Sequence, residues 1–430
     1  MPDAKSGTAR PLRVLYVENG IGYGGAVICL RHLVRNLDRS RFEPIVVTGW
    51  ATEPYRGIAD EAKWVPIADR RLDVPGLRRR LESARWLQRV PGLPWLLGQA
   101  LARADDVVNF LPSFLGLVAT IVRERPALIH ANNEPLCNRA AVLAGKLFGV
   151  PVVCHVRGDQ RGSRLMRWLY SLPDHFIPVS RWISEGVGAL GVPAGKRTYV
   201  YDGIELEKLD TGADGGAFRD RFGVPREAFA VGLVGLLIPW KGQKLFLEAG
   251  RQLLERIPNL YLLIVGGTPE ECRDYERELH AAAADTVFGG RVLFTGHVSD
   301  MAQAYLGLDV VVSASTSPEP LGTVVIESLA LGRPLVAPNH GGAVEMIDHE
   351  RTGLLFTPGD ARALAGAIQR FHDDPALGVR LGRAAREKAL RTFSVQEHVA
   401  RVQAIYERLL DRPSAEATGA IGEEGRSRHG

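Results

Sequence analysis

The chain has 430 residues, 46% of them hydrophobic and 24% charged, with 53 Lys and Arg against 49 Asp and Glu for a net charge of +4. That is enough chain for two domains with full cores, and the composition is that of an ordinary globular protein, which sets aside collagen-like, low-complexity and fully disordered classes. Cys29, Cys137, Cys154 and Cys272 stand without CxxC spacing, which argues against both a zinc site and a disulfide framework.

The opening residues, MPDAKSGTARPLR, are polar and lead into a strand, so no signal peptide is read there. No uncharged apolar run has the length a bilayer span needs, and a cytoplasmic protein is expected. The charge is uneven. Residues 1–205 hold 28 Lys and Arg against 19 Asp and Glu, a net of +9, while the remainder holds 25 against 30, a net of −5. The plain reading of the basic half is a solvated Arg-rich surface. The other is an anionic partner: a lipid surface, a lipid pyrophosphate or a nucleic acid.

In chain order, the first apolar strand is expected at Leu12–Val17, followed by a glycine-rich loop, a helix over Ala26–Leu37 and a strand at Pro44–Thr48. Further strands are read at Ala127–His130, Pro151–Val156, His175–Pro178 and Tyr199–Tyr201. A second run begins at Ala230–Gly235 and continues through Tyr261–Val265, Arg291–Thr295, Asp309–Ser313, Pro334–Pro338 and Gly353–Phe356. Helices are expected between these strands over 242–256, 270–283, 300–307, 322–331, 342–348 and 360–372. Short apolar strands alternating with helical segments predict parallel, doubly wound sheets, and two such sets predict two Rossmann-like domains facing across a cleft. The polar stretch near 203–215 marks the join. The domains are read as 1–205 and 206–392, with 393–412 as an amphipathic helix crossing back to the first domain and 413–430 as a disordered tail.

Residues 76–121 fit that plan poorly. They interleave Arg78, Arg79 and Arg80 with Trp86, Pro91, Pro94, Trp95, Leu96 and Leu97. A proline-interrupted pair of core helices is the first reading; a surface resting on a membrane or a greasy acceptor is the second.

The chemistry is carried by a few motifs. Gly20-Ile-Gly22-Tyr-Gly-Gly25 has the GxGxxG form, but the next strand ends without the acid a dinucleotide site wants. It is read as a loop that lets backbone approach a phosphate or sugar, or as a tight strand-to-helix turn. Lys241 follows the first strand of the second set, just before a helix, where an ammonium reaches a diphosphate as a point charge. His155 is read at the C-terminal tip of its strand and aimed into the cleft, with a satisfied structural histidine as the alternative. The segment Ser317 to Gly332 is the most informative. Glu319 sits in a Pro-flanked loop, Gly322 and Thr323 open a helix, and Glu327 lies within that helix. A helix start presents unpaired N–H groups and positive dipole to a phosphate, and flanking carboxylates accept sugar hydroxyls. No metal-ligand cluster or Ser-His-Asp arrangement is seen.

Glu319 and Glu327, embedded in SPEPLGTVVIESLALGRPLVAPNHGGAVEMI and followed by RTGLLFTPGD, resemble the E-x7-E region of retaining glycosyltransferases of the GT-B fold, in the large family 4. The resemblance runs from the glycine loop to about residue 405. It implies a nucleotide-sugar donor, UDP- or GDP-linked, with Glu319 on the sugar hydroxyls and Glu327 on the ribose. It implies that Leu321 and the backbone N–H groups of Gly322, Thr323 and Val324 line the distal phosphate, and that Lys241 neutralises the diphosphate. Gly24 and Gly25 approach the phosphates, His155 lies beside the transferred sugar, and the base stacks over 294–298, including Val298. Such enzymes commonly need no metal. The basic N-terminal half and residues 76–121 favour a glycan, lipid-linked or polysaccharide-precursor acceptor, with peripheral contact to an anionic membrane and no nucleic acid partner; a soluble metabolite is the other acceptor class. The family usually has an Arg where this chain has Leu236, and Arg157 is the candidate to supply the lost charge. The competing readings are a GT-B epimerase or phosphorylase, and a catalytically idle subunit that binds a partner enzyme.

Overall fold

The computed structural model describes residues 10–19, 24–67, 77, 92–159, 162–209 and 211–411. Gly20 to Tyr23 of the glycine loop, Arg78–Arg80, Trp86 and Pro91, and the expected tail from 413 lie outside the described residues. The chain divides into two compact units, the first Met1–Val156, Gly162–Ile177 and Val399–Gly430, the second Arg157–Arg161 and Pro178–His398.

Each half of the chain builds one six-stranded sheet. The first contains β1 (Leu12–Glu18), β2 (Phe42–Thr48), β3 (Lys63–Pro66), β4 (Leu128–Ala131), β5 (Val152–Val156) and β6 (His175–Pro178), in the order β3-β2-β1-β4-β5-β6. The second contains β7 (Phe229–Val234), β8 (Leu260–Val265), β9 (Val292–Gly296), β10 (Val310–Val312), β11 (Leu335–Pro338) and β12 (Leu354–Phe356), in the order β12-β11-β10-β7-β8-β9. Both sheets therefore follow the same doubly wound plan, with the order reversing beside β1 and β4 in one and β7 and β10 in the other. The pairing is parallel throughout the second sheet, with Gly232 opposite Val311 and Leu263. The α/β class and two-sheet plan match the expectation from strand and helix alternation.

The near-continuous apolar strands follow from burial on both faces. Successive side chains of a strand point to opposite sides, so each strand feeds two cores. Val310 and Val312 enter one cluster with Phe246, Leu253 and Phe371. Val311 enters the other with Ile326, Leu329 and Phe393. Each such buried aliphatic side chain contributes about 1.5–3 kcal/mol relative to exposure, so charge at any of these positions breaks the domain.

Three details depart from the sequence reading. Tyr199–Tyr201 is not a strand; its recorded ladder contact is one bond, Val200 N–H to the Pro178 carbonyl at 2.9 Å. The aromatic pattern there reflects packing, with Tyr201 edge-on to Phe393 at 5.3 Å. Strand β3 was not anticipated, since four residues at a sheet edge are too short to display a period. Residues 93–124 form one continuous helical stretch, with Leu93–Asp105 and Leu111–Glu124 joined by a wide turn at 106–110, despite its two prolines.

The helix Val395–Leu410 is counted with the first unit from Val399 onward. There the Tyr406 hydroxyl lies 2.6 Å from His130 Nδ1 and donates to the Tyr16 hydroxyl at 3.3 Å, and all three rings are fully buried. A buried polar chain of this kind fixes one packing arrangement of the helix on the sheet, because leaving any member unpaired costs its desolvation.

Candidate donor-binding site

The topological switch of the second sheet explains why residues far apart in sequence meet. β7 and β10 are neighbours, so the loops leaving their C-terminal ends lie side by side. The loop after β7 carries Lys241, in a short turn of 3-10 helix over Pro239–Lys241. The loop after β10 carries Glu319. Lys241 Nζ donates to Glu319 Oε1 at 2.8 Å and to Oε2 at 2.9 Å, with both side chains mostly buried. The Ser315 hydroxyl donates to the same carboxylate. The ammonium also lies 4.6 Å from the centre of the Trp240 ring, which favours a cation there.

Gly242 makes this approach possible. Its φ of +79° is left-handed, and a Cβ there would stand 1.9 Å from the Ala314 carbonyl oxygen. Any side chain would push the Lys241 loop away from the Glu319 loop. A second close approach lies below Glu319. The Gly342 N–H donates to the Glu319 carbonyl at 2.7 Å, and Cβ atoms on Gly341 or Gly342 would stand 2.7 and 2.4 Å from the Glu319 and Pro320 carbonyl oxygens. The glycine pair in PNHGGAV thus lets the next loop run against the acid loop.

Gly322 is the N-cap of the helix Thr323–Ala330 and brings no side chain to cap it. Thr323 is exposed, Leu321 and Val324 are half-buried and Gly322 is buried. The helix start is thus free of a side-chain cap beside the Lys241–Glu319 pair, and its N–H groups suit an oxyanion. Glu327 lies farther along the helix, where Tyr305 donates to its Oε2 at 2.7 Å. Burial pushes the Glu327 carboxyl above its ordinary value, with the Tyr305 hydrogen bond opposing. Burial and the nearby carboxylate raise the Tyr305 hydroxyl well above its own. One carboxylate oxygen is used by Tyr305, and a carboxylate accepts at both. Val298 is buried below the exposed turn of Gly296 and His297.

The other expected residues take these places. Gly24 and Gly25 begin the helix Gly25–Arg35, both exposed, and a Cβ on either would enter open space. Among the described residues nothing crowds these two positions. His155 is not at the strand tip: it is the fourth of the five residues of β5, fully buried, with its ring 5.4 Å from that of His130. Arg157 is the first residue beyond β5, and its guanidinium grips Asp202 through two parallel bonds of 2.9 Å, with both side chains nearly buried. The charge considered as a substitute at 236 is already compensated. Leu236 itself is 52% exposed, so the position expected to be cationic presents a methyl surface.

Ser315, Tyr305, Gly341, Gly342 and Asp202 were not singled out as site residues by the sequence reading. The GG dipeptide was visible within the quoted motif, but its reason, passage over the Glu319 backbone, exists only in three dimensions. Among the described residues no group of three or more His, Cys, Asp and Glu side chains is arranged to hold a metal ion.

Residues 24–203 match the family model described as glycosyl transferase 4-like domain, and residues 216–388 match the one described as glycosyl transferases group 1. The chain is 29% identical over 370 residues to 2-deoxystreptamine glucosyltransferase from Streptomyces kanamyceticus, covering 79% of this chain and 93% of that one. It is 34% identical over 176 residues to the lipopolysaccharide core biosynthesis glycosyltransferase LpsE of Rhizobium meliloti, covering 41% of this chain and 49% of that one. Among solved structures it is similar to HepE of Anabaena in complex with UDP, with a TM-score of 0.76 at 22% identity over 92% of this chain and all of that one. A glycosyltransferase from Rickettsia africae gives a TM-score of 0.79 at 18% identity over 94% of this chain and all of that one. With each half matched by one of these two family models and both sheets built on the GT-B plan, the chain belongs to the group 1, family 4-like glycosyltransferases.

Proposed function

We propose that this glycosyltransferase moves a hexosyl group from a nucleotide-diphosphate sugar, UDP- or GDP-linked, to a glycan or lipid-linked acceptor with retention of anomeric configuration. The observation that carries the donor reading is the Lys241–Glu319 pair beside the uncapped start of the helix Thr323–Ala330. Solved structures of HepE from Anabaena contain UDP and UDP-glucose, which supports a nucleotide sugar as donor.

In this reading the diphosphate lies over the Gly322–Val324 backbone with Lys241 turned onto it. Glu319, released from Lys241, accepts hydroxyls of the sugar, and Glu327 accepts from the ribose. When the bond between anomeric carbon and phosphate oxygen breaks, charge grows on the departing diphosphate, where Lys241 and the helix dipole stabilise it. The acceptor oxygen bonds the anomeric carbon on the same face and its proton passes to the departing phosphate. Lys241 and the helix start supply the charge on the leaving group, with no metal needed for that role.

A lipid-linked acceptor at a membrane surface is supported by the stretch 107–124, whose mean hydropathy is 1.4 with only 28% of it buried. Val107, Leu111, Leu115 and Val122 are exposed along it, at a spacing that gathers them on one side of a helix. The basic N-terminal half suits an anionic leaflet on the cytoplasmic side.

The exposed Leu236 favours one competing reading, a subunit that binds donor weakly and serves a partner enzyme. A panel of UDP-, GDP- and ADP-sugars tests both. A nucleotide sugar that raises the melting temperature and is consumed with an acceptor, giving product of unchanged anomeric coupling by proton NMR, supports transfer with retention. Binding without turnover over an acceptor panel favours the idle subunit, and no response to any donor overturns the nucleotide-sugar reading.

A further inference from the structure

The second unit contains a cavity of about 510 Å³ at the opposite end of its sheet from Lys241. Its walls include Arg219, Arg226, Phe229, Asp309, Arg333 and His372. Phe229 opens β7, while Asp309 and Pro334 immediately precede β10 and β11, so the cavity lies at the N-terminal ends of the strands. The donor-binding loops leave the C-terminal ends.

The charges of this cavity are unevenly paired. Arg219 uses four of its five N–H groups: it donates to the Gly307 carbonyl at 2.8 Å, to the Arg226 and Ala228 carbonyls at 3.0 Å each, and to Asp309 at 2.8 Å. Asp309 is thereby neutralised, and it also accepts from the Ala230 N–H at 2.7 Å. Arg226 is paired with Asp220 at 2.6 Å but is 69% exposed at the side chain and able to swing inward. Glu227 also reaches the wall. Arg333 is different. One terminal nitrogen donates to the Leu308 carbonyl, its Nε is buried without a hydrogen-bond partner, and it forms no ion pair within 4.0 Å among the described residues. Burial holds this guanidinium below its ordinary basicity, with the neighbouring Asp309 opposing. A guanidinium does not lose its proton in a protein, so a half-buried one with an unsatisfied Nε and no ion pair of its own favours an anion.

We propose that this cavity binds a phosphate group, held by Arg333 from the wall and Arg226 from the rim. A guanidinium pair matches phosphate geometry through its planar forks. The phosphate has two possible sources, free orthophosphate or a phosphate monoester on a small polyol, and the cavity volume is that of a small-molecule site rather than of a lone ion. The ligand acts away from the transfer site, so it regulates or stabilises rather than reacts.

The test is calorimetric titration of the whole chain with orthophosphate and, separately, with glucose 6-phosphate, at matched ionic strength set with chloride. The expected result is saturable binding of at least one of the two, weakened by roughly tenfold or more in Arg226→Ala and in Arg333→Met, and retained in Lys241→Ala. Binding of both assigns the site to the phosphate itself; binding of glucose 6-phosphate alone assigns it to the monoester. Arg226→Ala keeps the test decisive if Arg333→Met fails to fold, since Arg226 is a surface side chain. No saturable binding of either probe overturns the proposal. So does binding that survives Arg226→Ala undiminished or disappears in Lys241→Ala, which would move it to the donor loops.

Discussion

Glu319→Gln separates the two jobs of the donor-site ion pair. The Glu319 carboxylate binds Lys241 through both oxygens, at 2.8 and 2.9 Å, in a site where the two side chains are only 16% and 18% exposed. A diphosphate must therefore win the ammonium from the carboxylate. A charge-assisted hydrogen bond is worth about 1.5–3 kcal/mol, and a contact pair at a partly buried site about 4 kcal/mol before desolvation is counted. Taking the lower range as the competition removed, Glu319→Gln should bind UDP roughly ten- to a hundredfold more tightly than the wild type. The same change removes the carboxylate proposed to accept the sugar hydroxyls, so UDP-sugar should gain less than UDP, or lose affinity, and kcat should fall. Isothermal titration with UDP and with the active UDP-sugar measures both, and Lys241→Met serves as the control that loses the UDP gain. A folded Glu319→Gln variant whose UDP affinity is unchanged or weaker than wild type would refute the competition argument.

Other consequences follow from the same geometry. Arg157→Ala leaves the nearly buried Asp202 carboxylate without its fork, which costs about 3–5 kcal/mol; if Arg157 also serves the leaving group, kcat falls in the folded variant, whereas Asp202→Asn lowers stability alone, and equal kcat in both variants would confine Arg157 to a structural role. Glu327 carries a folded carboxyl value above its unfolded one, so its ionised form is disfavoured by folding; stability declines as pH rises from the ordinary carboxylate range through the raised value. Glu327→Gln should therefore raise Tm at pH 7, have little effect near pH 4, and weaken donor binding; an unchanged or lower Tm at pH 7 counts against the assignment. Gly242→Ala places a Cβ 1.9 Å from the Ala314 carbonyl oxygen at a left-handed φ, and should cost about 3 kcal/mol and abolish the donor-induced Tm shift; a wild-type response would show that the two loops need not approach so closely.

Much of the fold was legible in the chain because parallel strands buried on both faces read as short apolar runs. Val310–Val312 and Leu260–Val265 could hardly be anything else between helical segments. What was not legible lay where local pattern is absent or misleading. Lys63–Pro66 is an edge strand of four residues, and Tyr199–Tyr201 has the apolar look of a strand but spends its rings on packing. The strand of His155 ends at Val156 as expected, but an all-apolar strand buried on both faces does not show where its one polar ring points, and here the ring lies in the buried cluster with His130.

By itself the sequence determined the class of chemistry. Glu319, Glu327, the helix start between them and Lys241 are local signals, each tied to the secondary structure of its own segment. Only the tertiary structure decided which charges meet. The reversal of strand order at β7 and β10 sets the loops of Lys241 and Glu319 side by side, across 78 positions of chain, and Gly242 lets them touch. The same folding joined Arg157 to Asp202, 45 positions away, and left the Arg333 Nε buried without a hydrogen-bond partner. Pairing is a property of through-space distance, and a doubly wound sheet sets those distances by strand order rather than by separation along the chain.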